Sequence, residues 1–275
     1  MKNSFVNCDL HIHSCHSPCG SLEMGPKNVI GKLRENSISI AAITDHNSSL
    51  NTRGFYNLGL KNNILIFPGM EIQTVEEVHI NVIFPDFITA DKWDSWIKKS
   101  MQDIRCDPDI FGDQPIVNEN EEILELYELL LLQSSNYDFE TIINKAYNEK
   151  LIFFPCHIFE PSFSVTSQLG FLPSHIDPVS GKDKIPFLEI ATRTNLDIIK
   201  SNKIYDRKTI LTNSDAHYPN DIGKKYFQIQ SKKLETLLDE FFHDHNSKKQ
   251  TEIYKILYDS LISGENHFLV LKFLQ

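Results

Sequence analysis

Six histidines in this 275-residue chain stand beside short apolar runs, and two carboxylates stand with them. His11 and His13 close the run that begins at Phe5. Side chains two apart on an extended segment share a face, so these imidazoles can hold one cation or two adjacent ones. His46, His79, His157 and His217, with Glu71 and Asp215, lie in or just after later runs of the same kind. One histidine on a strand is most simply a satisfied structural residue. Several near strand ends are not, because in a parallel barrel those ends converge on the face where such enzymes keep their chemistry. Imidazole with carboxylate suits Zn, Mn or Fe better than Mg or Ca. A carboxylate such as Glu71 can bridge two ions, an arrangement that activates water and holds a phosphoryl oxygen.

The elements that must position these groups are legible as short β-rich runs: Phe5–Ile12, Ile38–Ile43, Ile64–Phe67, Val78–Phe84, Leu151–Pro155, Phe187–Ala191 and Thr209–Thr212. Helical patterns separate several of them. Lys27–Asn36 places Val29, Ile30 and Leu33 on one face, Glu119–Leu132 is rich in helix formers, and Phe139–Glu149 turns Ile142, Ile143 and Ala146 inward. Alternating strands and helices predict mostly parallel pairing in an α/β layer or barrel. Residues 1–230 are expected to form one domain, with an insertion at about 85–132 beside the site. Residues 231–275 are expected to add a C-terminal helical extension, with helices near Leu234–His243 and Thr251–Ser263. The Pro-containing stretch Glu160–Lys184 predicts a shaped loop.

Composition bounds the function. Hydrophobic residues are 41% and charged residues 23% of the chain, which excludes disordered, collagenous and coiled-coil classes. The formal charge of −10 argues against a broad basic face for duplex nucleic acid. Two or three divalent ions would nonetheless add roughly four to six positive charges in one place, so a local phosphate site is compatible with it. No apolar run approaches the ~20 residues of a membrane span, and no signal-peptide core is evident. Five cysteines without a paired framework predict reduced thiols and a cytoplasmic setting. The spacing of Cys8, Cys15 and Cys19 fits no iron–sulfur pattern, so these are read as small packing or loop residues.

The segments DLHIHS, ITDHNS, GMEI, EVHI, PCHI and NSDAH resemble, in order, the motifs of the PHP (polymerase and histidinol phosphatase) superfamily, over residues 5 to about 225. The resemblance implies a distorted (β/α)7 TIM-like barrel that binds two or three divalent ions (Mn, Zn or Fe). It makes His11, His13, His46, Glu71, His79, His157, Asp215 and His217 the metal ligands, with Glu71 bridging. Asp9 and Asp45 are expected to orient neighbouring imidazoles. Many members of the superfamily carry a further Asp or His soon after the first motif; here that stretch is CHSPCGSLEMGP, where His16 or Glu23 are the candidates.

The activity implied is hydrolysis of a phosphate ester by a metal-activated hydroxide, on a small phosphomonoester, a nucleotide or an oligonucleotide end. A non-catalytic accessory module and a metal-assisted C–N hydrolase are the alternatives, although the latter's carboxylated lysine is not evident. Arg193, after the Phe187–Ala191 run, is the candidate phosphate contact, because its guanidinium matches two oxygens at once. Lys224 and Lys225 are weaker candidates for the same role, and Glu189 is a possible ligand or acceptor. Trp93 and Trp96, three apart, are read as core. His175, His243, His245 and His267 are read as surface or packing residues. Oligomeric state is not indicated.

Overall fold

The computed structural model describes residues 5–173, 175–206, 208–263 and 269–273. The chain begins β1 (Phe5–Ile12), α1 (Pro26–Glu35), β2 (Ile40–Ile43), α2 (Thr52–Leu60), β3 (Leu65–Gln73) and β4 (His79–Ile83). It continues α3 (Phe87–Ser100), α4 (Pro108–Phe111), β5 (Pro115–Val117), β6 (Ile123–Leu126), α5 (Phe139–Asn148), β7 (Ile152–Pro155), α6 (Val165–Gln168), β8 (Phe187–Glu189) and α7 (Asn195–Ser201). It ends β9 (Thr209–Leu211), β10 (Lys225–Gln230), α8 (Lys232–Asp244), α9 (Ser247–Ser263) and β11 (Leu269–Phe273).

The main sheet has the order β11-β10-β1-β2-β3-β4-β7, and β8 pairs with β9 beside it. Backbone bonds curl these toward closure. Ile158 N donates to Glu189 O at 2.9 Å, joining the end of β7 to β8, and His13 N donates to Ala216 O at 3.0 Å, joining β1 to the segment after β9. The result is a distorted TIM-like α/β barrel of β1, β2, β3, β4, β7, β8 and β9, the seven runs expected from the sequence. The strands are short and apolar because each is buried on both faces: β2 is Ile-Ala-Ala-Ile with every residue buried.

Parallel pairing holds for β1–β2, β2–β3 and β8–β9 but not for β4, which is antiparallel to both β3 and β7. Residues 74–78 between β3 and β4 are too few for a helical crossover, so the chain makes a hairpin. This reversal matters for the site. His79 opens β4 opposite Gln73 at the end of β3, so it comes to the same rim as the expected ligands that close parallel strands. Two further strands of the main sheet, β10 and β11, were absent from the sequence expectation; β10 runs antiparallel to β1, and β11 antiparallel to β10.

The expected helix at Glu119–Leu132 is not formed. Its residues are extended, with β6 paired to β5. The buried Gln114 side chain decides this. Its amide donates to Tyr127 O and Leu129 O, both at 2.8 Å, and its carbonyl accepts from Leu131 N at 2.9 Å. Asn118 fixes the turn by accepting from Asn120 N and Glu122 N. Intrinsic helix propensity is a weak prior that such tertiary bonds override.

The two C-terminal helices close the end of the barrel opposite the histidines. Leu234, Phe241, Ile253 and Leu257 pack with Val6, Ile83 and Ile152, which lie at the far ends of their strands. Tyr254 Oη donates to Ile83 O at 2.6 Å and accepts from Ile152 N at 2.7 Å, tying α9 to β4 and β7. Trp93 is buried and stands edge-on to Trp96, as expected of core. His267 lies outside the described residues.

Candidate metal centre

The eight expected ligands converge on one rim. Glu71, 1% exposed, lies at the centre. Its Oε1 is 3.2 Å from His11 Nε2, 3.1 Å from His79 Nδ1 and 3.6 Å from His157 Nε2. Its Oε2 is 3.3 Å from His13 Nε2 and 3.1 Å from His46 Nδ1. Asp215 Oδ1 stands 3.2 Å from His11 Nε2 and 3.5 Å from His13 Nε2, with His217 beside it. His157 and Asp215 sit in left-handed backbone, with φ of 34° and 52°. Such conformations cost of order 1–3 kcal/mol each and persist where surroundings enforce them; here Asp215 N is bonded to His11 O and His157 N to Glu189 Oε2.

Hydrogen bonds behind three of the imidazoles set their tautomers. His11 Nδ1 faces both oxygens of Glu189, at 3.1 and 3.0 Å, which places its proton there and frees Nε2 toward Glu71. His13 Nδ1 is 3.1 Å from Ser17 Oγ, which in turn donates to Asp45 Oδ1 at 2.7 Å. His217 Nδ1 lies 3.0 Å from Asp215 O. Asp45 therefore acts on His13 through Ser17, while Asp9 receives Ser214 N and touches no imidazole side chain. The group that orients His11 is Glu189, which the sequence left open between ligand and acceptor; here it accepts from His11 Nδ1.

Electrostatics follow from this crowding. Burial would raise the Glu71 carboxyl, but His79, His11 and His46 hold it well below the ordinary range. Burial pushes Asp9 up to about 7. Burial would likewise raise the Cys19 thiol, but His46 and His13 draw it down to about 3. Cys19 had been read as a loop residue; its sulfur in fact joins His13, His46 and His217. Its only sequence signal is proximity to the first motif, and thiol–metal spacing rules do not flag a single cysteine.

Of the other candidates, His16 is buried with Nε2 3.0 Å from Ser48 Oγ and Nδ1 3.3 Å from Gln114 O, so both nitrogens are used in packing. Glu23 is exposed. Arg193 is exposed on the segment after β8 and is not among the residues lining the cleft, although Ala191, two positions before it, is. Lys224 pairs with Asp221 at 2.7 Å.

The cleft over the cluster measures about 730 Å³ and is lined by His46, Glu71, His79, His157, Asp215 and His217, with Phe163 and Leu132 as apolar wall. Phe163 stacks on His79 with ring centres 4.6 Å apart. No lysine or arginine lines it among the described residues. The donors fit divalent ions. His11 Nε2, His13 Nε2, His46 Nδ1 and Glu71 Oε1 are buried, face one another, and have no hydrogen-bond partner. Polar atoms so buried ordinarily have partners, and bound cations would satisfy all four.

The PHP domain family model matches residues 9–155, more than half of the chain and five of the eight expected ligands. The chain belongs to the PHP domain family. Among solved structures, this PHP chain is similar to the lesion-specific endonuclease Q of Pyrococcus furiosus (18% identity, TM-score 0.64, covering 99% of this chain and 60% of that one). It is also similar to an endonuclease Q in complex with a 27-mer duplex carrying an abasic lesion at the active site (20% identity, TM-score 0.60, 83% and 54%). An amidohydrolase from Chromobacterium violaceum shares the fold more distantly (14% identity, TM-score 0.50, 79% and 90%). No curated protein matches the sequence. The chain thus spans only 60% and 54% of the two endonuclease chains. At these identities the likeness is one of fold. Family and donor geometry together support a metal-dependent hydrolase.

Proposed function

We propose that the chain is a metal-dependent phosphoesterase whose substrate is a small phosphomonoester, a nucleotide or an oligonucleotide end. The observation that carries this reading is Glu71, whose two oxygens each face imidazoles from opposite sides of the rim. A carboxylate so placed suits a pair of ions sharing it. Two or three divalent ions (Mn, Zn or Fe) held here would supply a nucleophilic water at neutral pH and bind phosphoryl oxygens.

The chain's own residues do the rest. Glu189 keeps the His11 proton on Nδ1, and Ser17, backed by Asp45, does the same for His13. Glu71, Glu77, Glu160 and Asp215 give the cleft a negative wall, which would repel a phosphate until cations offset it. We assign to Arg193, two residues after the lining residue Ala191, the contact with a phosphate oxygen from the rim. The lesion-bearing duplex at a relative's active site fits a phosphate-ester substrate. The catalytic unit is assigned to residues 1–230, and the extension to 231–275, where helices α8 and α9 are followed by strand β11.

The test is turnover of an aryl phosphate monoester and diester, phosphorylated metabolites and short oligonucleotides by Mn-, Zn- and Fe-loaded protein. Metal-dependent release of phosphate or nucleotide is expected. Hydrolysis of amides alone, or of nothing with metals demonstrably bound, would overturn the proposal.

A further inference from the structure

We propose that Cys19 is a thiolate ligand, completing with His13, His46 and His217 a four-donor set that selects zinc over manganese or magnesium at one position of the cluster. The inference rests on the cluster holding metal ions, and not on which bond the protein hydrolyses.

The geometry begins with the donors. One ligand atom from each of the four residues lies within 4.8 Å of all the others. Donors around a tetrahedral zinc, with bonds of about 2.0–2.3 Å, stand roughly 3.3–3.8 Å apart, so a modest contraction closes the set. Two imidazoles are already turned for it. His13 Nδ1 is engaged by Ser17 Oγ and His217 Nδ1 by Asp215 O, which leaves each Nε2 facing the set. His13 Nε2 is fully buried and unpartnered.

The loop carrying Cys19 is built to hold it there. Gly20 N donates to Ser17 O at 2.8 Å within the loop, and Ser21 N donates to His217 O at 2.9 Å, which ties the loop to the His217 segment. A Cβ on Gly20 would lie 2.6 Å from Ser14 O, so only glycine lets the loop turn this tightly behind the sulfur. Ser17 Oγ also receives His46 N at 3.2 Å.

A second cysteine provides the contrast. Cys156 Sγ lies with His11 and Glu71, where the neighbouring charge is a carboxylate, and it points its proton to Phe154 O at 3.8 Å. Cys19 is surrounded by imidazoles, and its set contains no carboxylate. Soft thiolate with imidazole favours zinc, whereas Mn and Mg prefer all-oxygen or mixed hard donors.

The experiment loads the whole chain with cobalt(II) and records the near-ultraviolet thiolate-to-cobalt charge-transfer band. The proposal expects the band in the parent and in Cys156→Ser, and its loss in Cys19→Ser. It also expects Cys19→Ser to hold zinc at least ~10-fold more weakly against a competing chelator. Cys19→Asp should bind metal without the band and move the zinc–manganese preference toward manganese by about the same factor. A band that survives in Cys19→Ser, or disappears in Cys156→Ser, overturns the assignment. So does cobalt bound to the parent without a band. If neither Cys19 variant folds, zinc should slow iodoacetamide alkylation of Cys19 in the parent at least ~10-fold; equal rates with and without zinc would overturn it. A cobalt–thiolate band in a protein without phosphatase activity would leave this inference standing and remove the phosphoesterase reading.

Discussion

At the scale of single residues, hydrogen bonds from outside the cluster fix which ring nitrogen of His11, His13 and His217 faces inward. Glu71 instead faces imidazoles with both of its oxygens, and its charge is what holds them together. Glu71→Gln should keep the fold, lower the metal content by about one ion per chain, and reduce turnover at least ~100-fold, a range typical of lost positioning and electrostatic stabilisation. Near-parental turnover by the variant would refute the bridging role. Arg193 poses the opposite case, a cation outside the walls of an acidic cleft. If it reaches a substrate oxygen, Arg193→Ala should retain all metal and lose roughly 10- to 150-fold in kcat/KM, matching a charge-assisted contact of about 1.5–3 kcal/mol. Arg193→Lys should recover only part, because an ammonium cannot offer two parallel donors. Unchanged kinetics in the alanine variant would make Arg193 a surface residue. These residues were unequally legible. Histidines stand out in sequence because their spacing matches strand period, whereas Glu189 is one glutamate on a three-residue strand and declares its role only through its 3.0 Å contact with His11. Cys19 hides for a different reason: a lone thiol becomes a ligand only when a loop brings it to three imidazoles.

At the scale of elements, the sequence is most informative where burial dictates residue type. All seven barrel strands are apolar runs, and their order and approximate ends could be read directly. Direction could not. That β4 runs against its neighbours follows from the length of a connection, and no residue in β4 encodes it. β10 was missed because Lys225–Gln230 alternates half-buried polar with buried apolar residues, a weaker signal than a continuous run. The segment 119–132 failed in the other direction, since its Leu-Glu composition favours a helix that three side-chain bonds from Gln114 prevent. This supplies a test. Gln114→Ala removes those bonds and leaves Tyr127 O, Leu129 O and Leu131 N without their partner. At about 1 kcal/mol each, urea unfolding should show a loss of about 2–3 kcal/mol. A loss below ~0.5 kcal/mol would show that other contacts hold the segment extended.

For the whole molecule, the barrel separates its two tasks by end. Helices α8 and α9 cover the far end with apolar contact, so stability there needs no ion. The near end gathers buried carboxylates and imidazoles whose charges oppose burial, and it is stabilised only when those charges are matched. Metal binding should therefore contribute directly to folding. With free ion at 100 times its dissociation constant, one site contributes about 2.7 kcal/mol, and at roughly 2–4 °C per kcal/mol the melting temperature should rise by about 5–10 °C. The sign of the pH dependence follows from the imidazoles. Burial opposes protonation of His11, but Glu189, Asp215 and Glu71 hold it charged well above its ordinary range; at His157, Glu71 and Asp215 raise it against the same burial. An incoming ion must expel those protons, and their departure becomes easier as pH rises. The metal-dependent rise in melting temperature should be smaller at pH 6.5 than at pH 8.5. Differential scanning fluorimetry with zinc or manganese against chelator, at both pH values, measures this. A shift that is absent, or larger at the lower pH, would mean that the near end is stable without cations and that its crowded donors are not a metal centre.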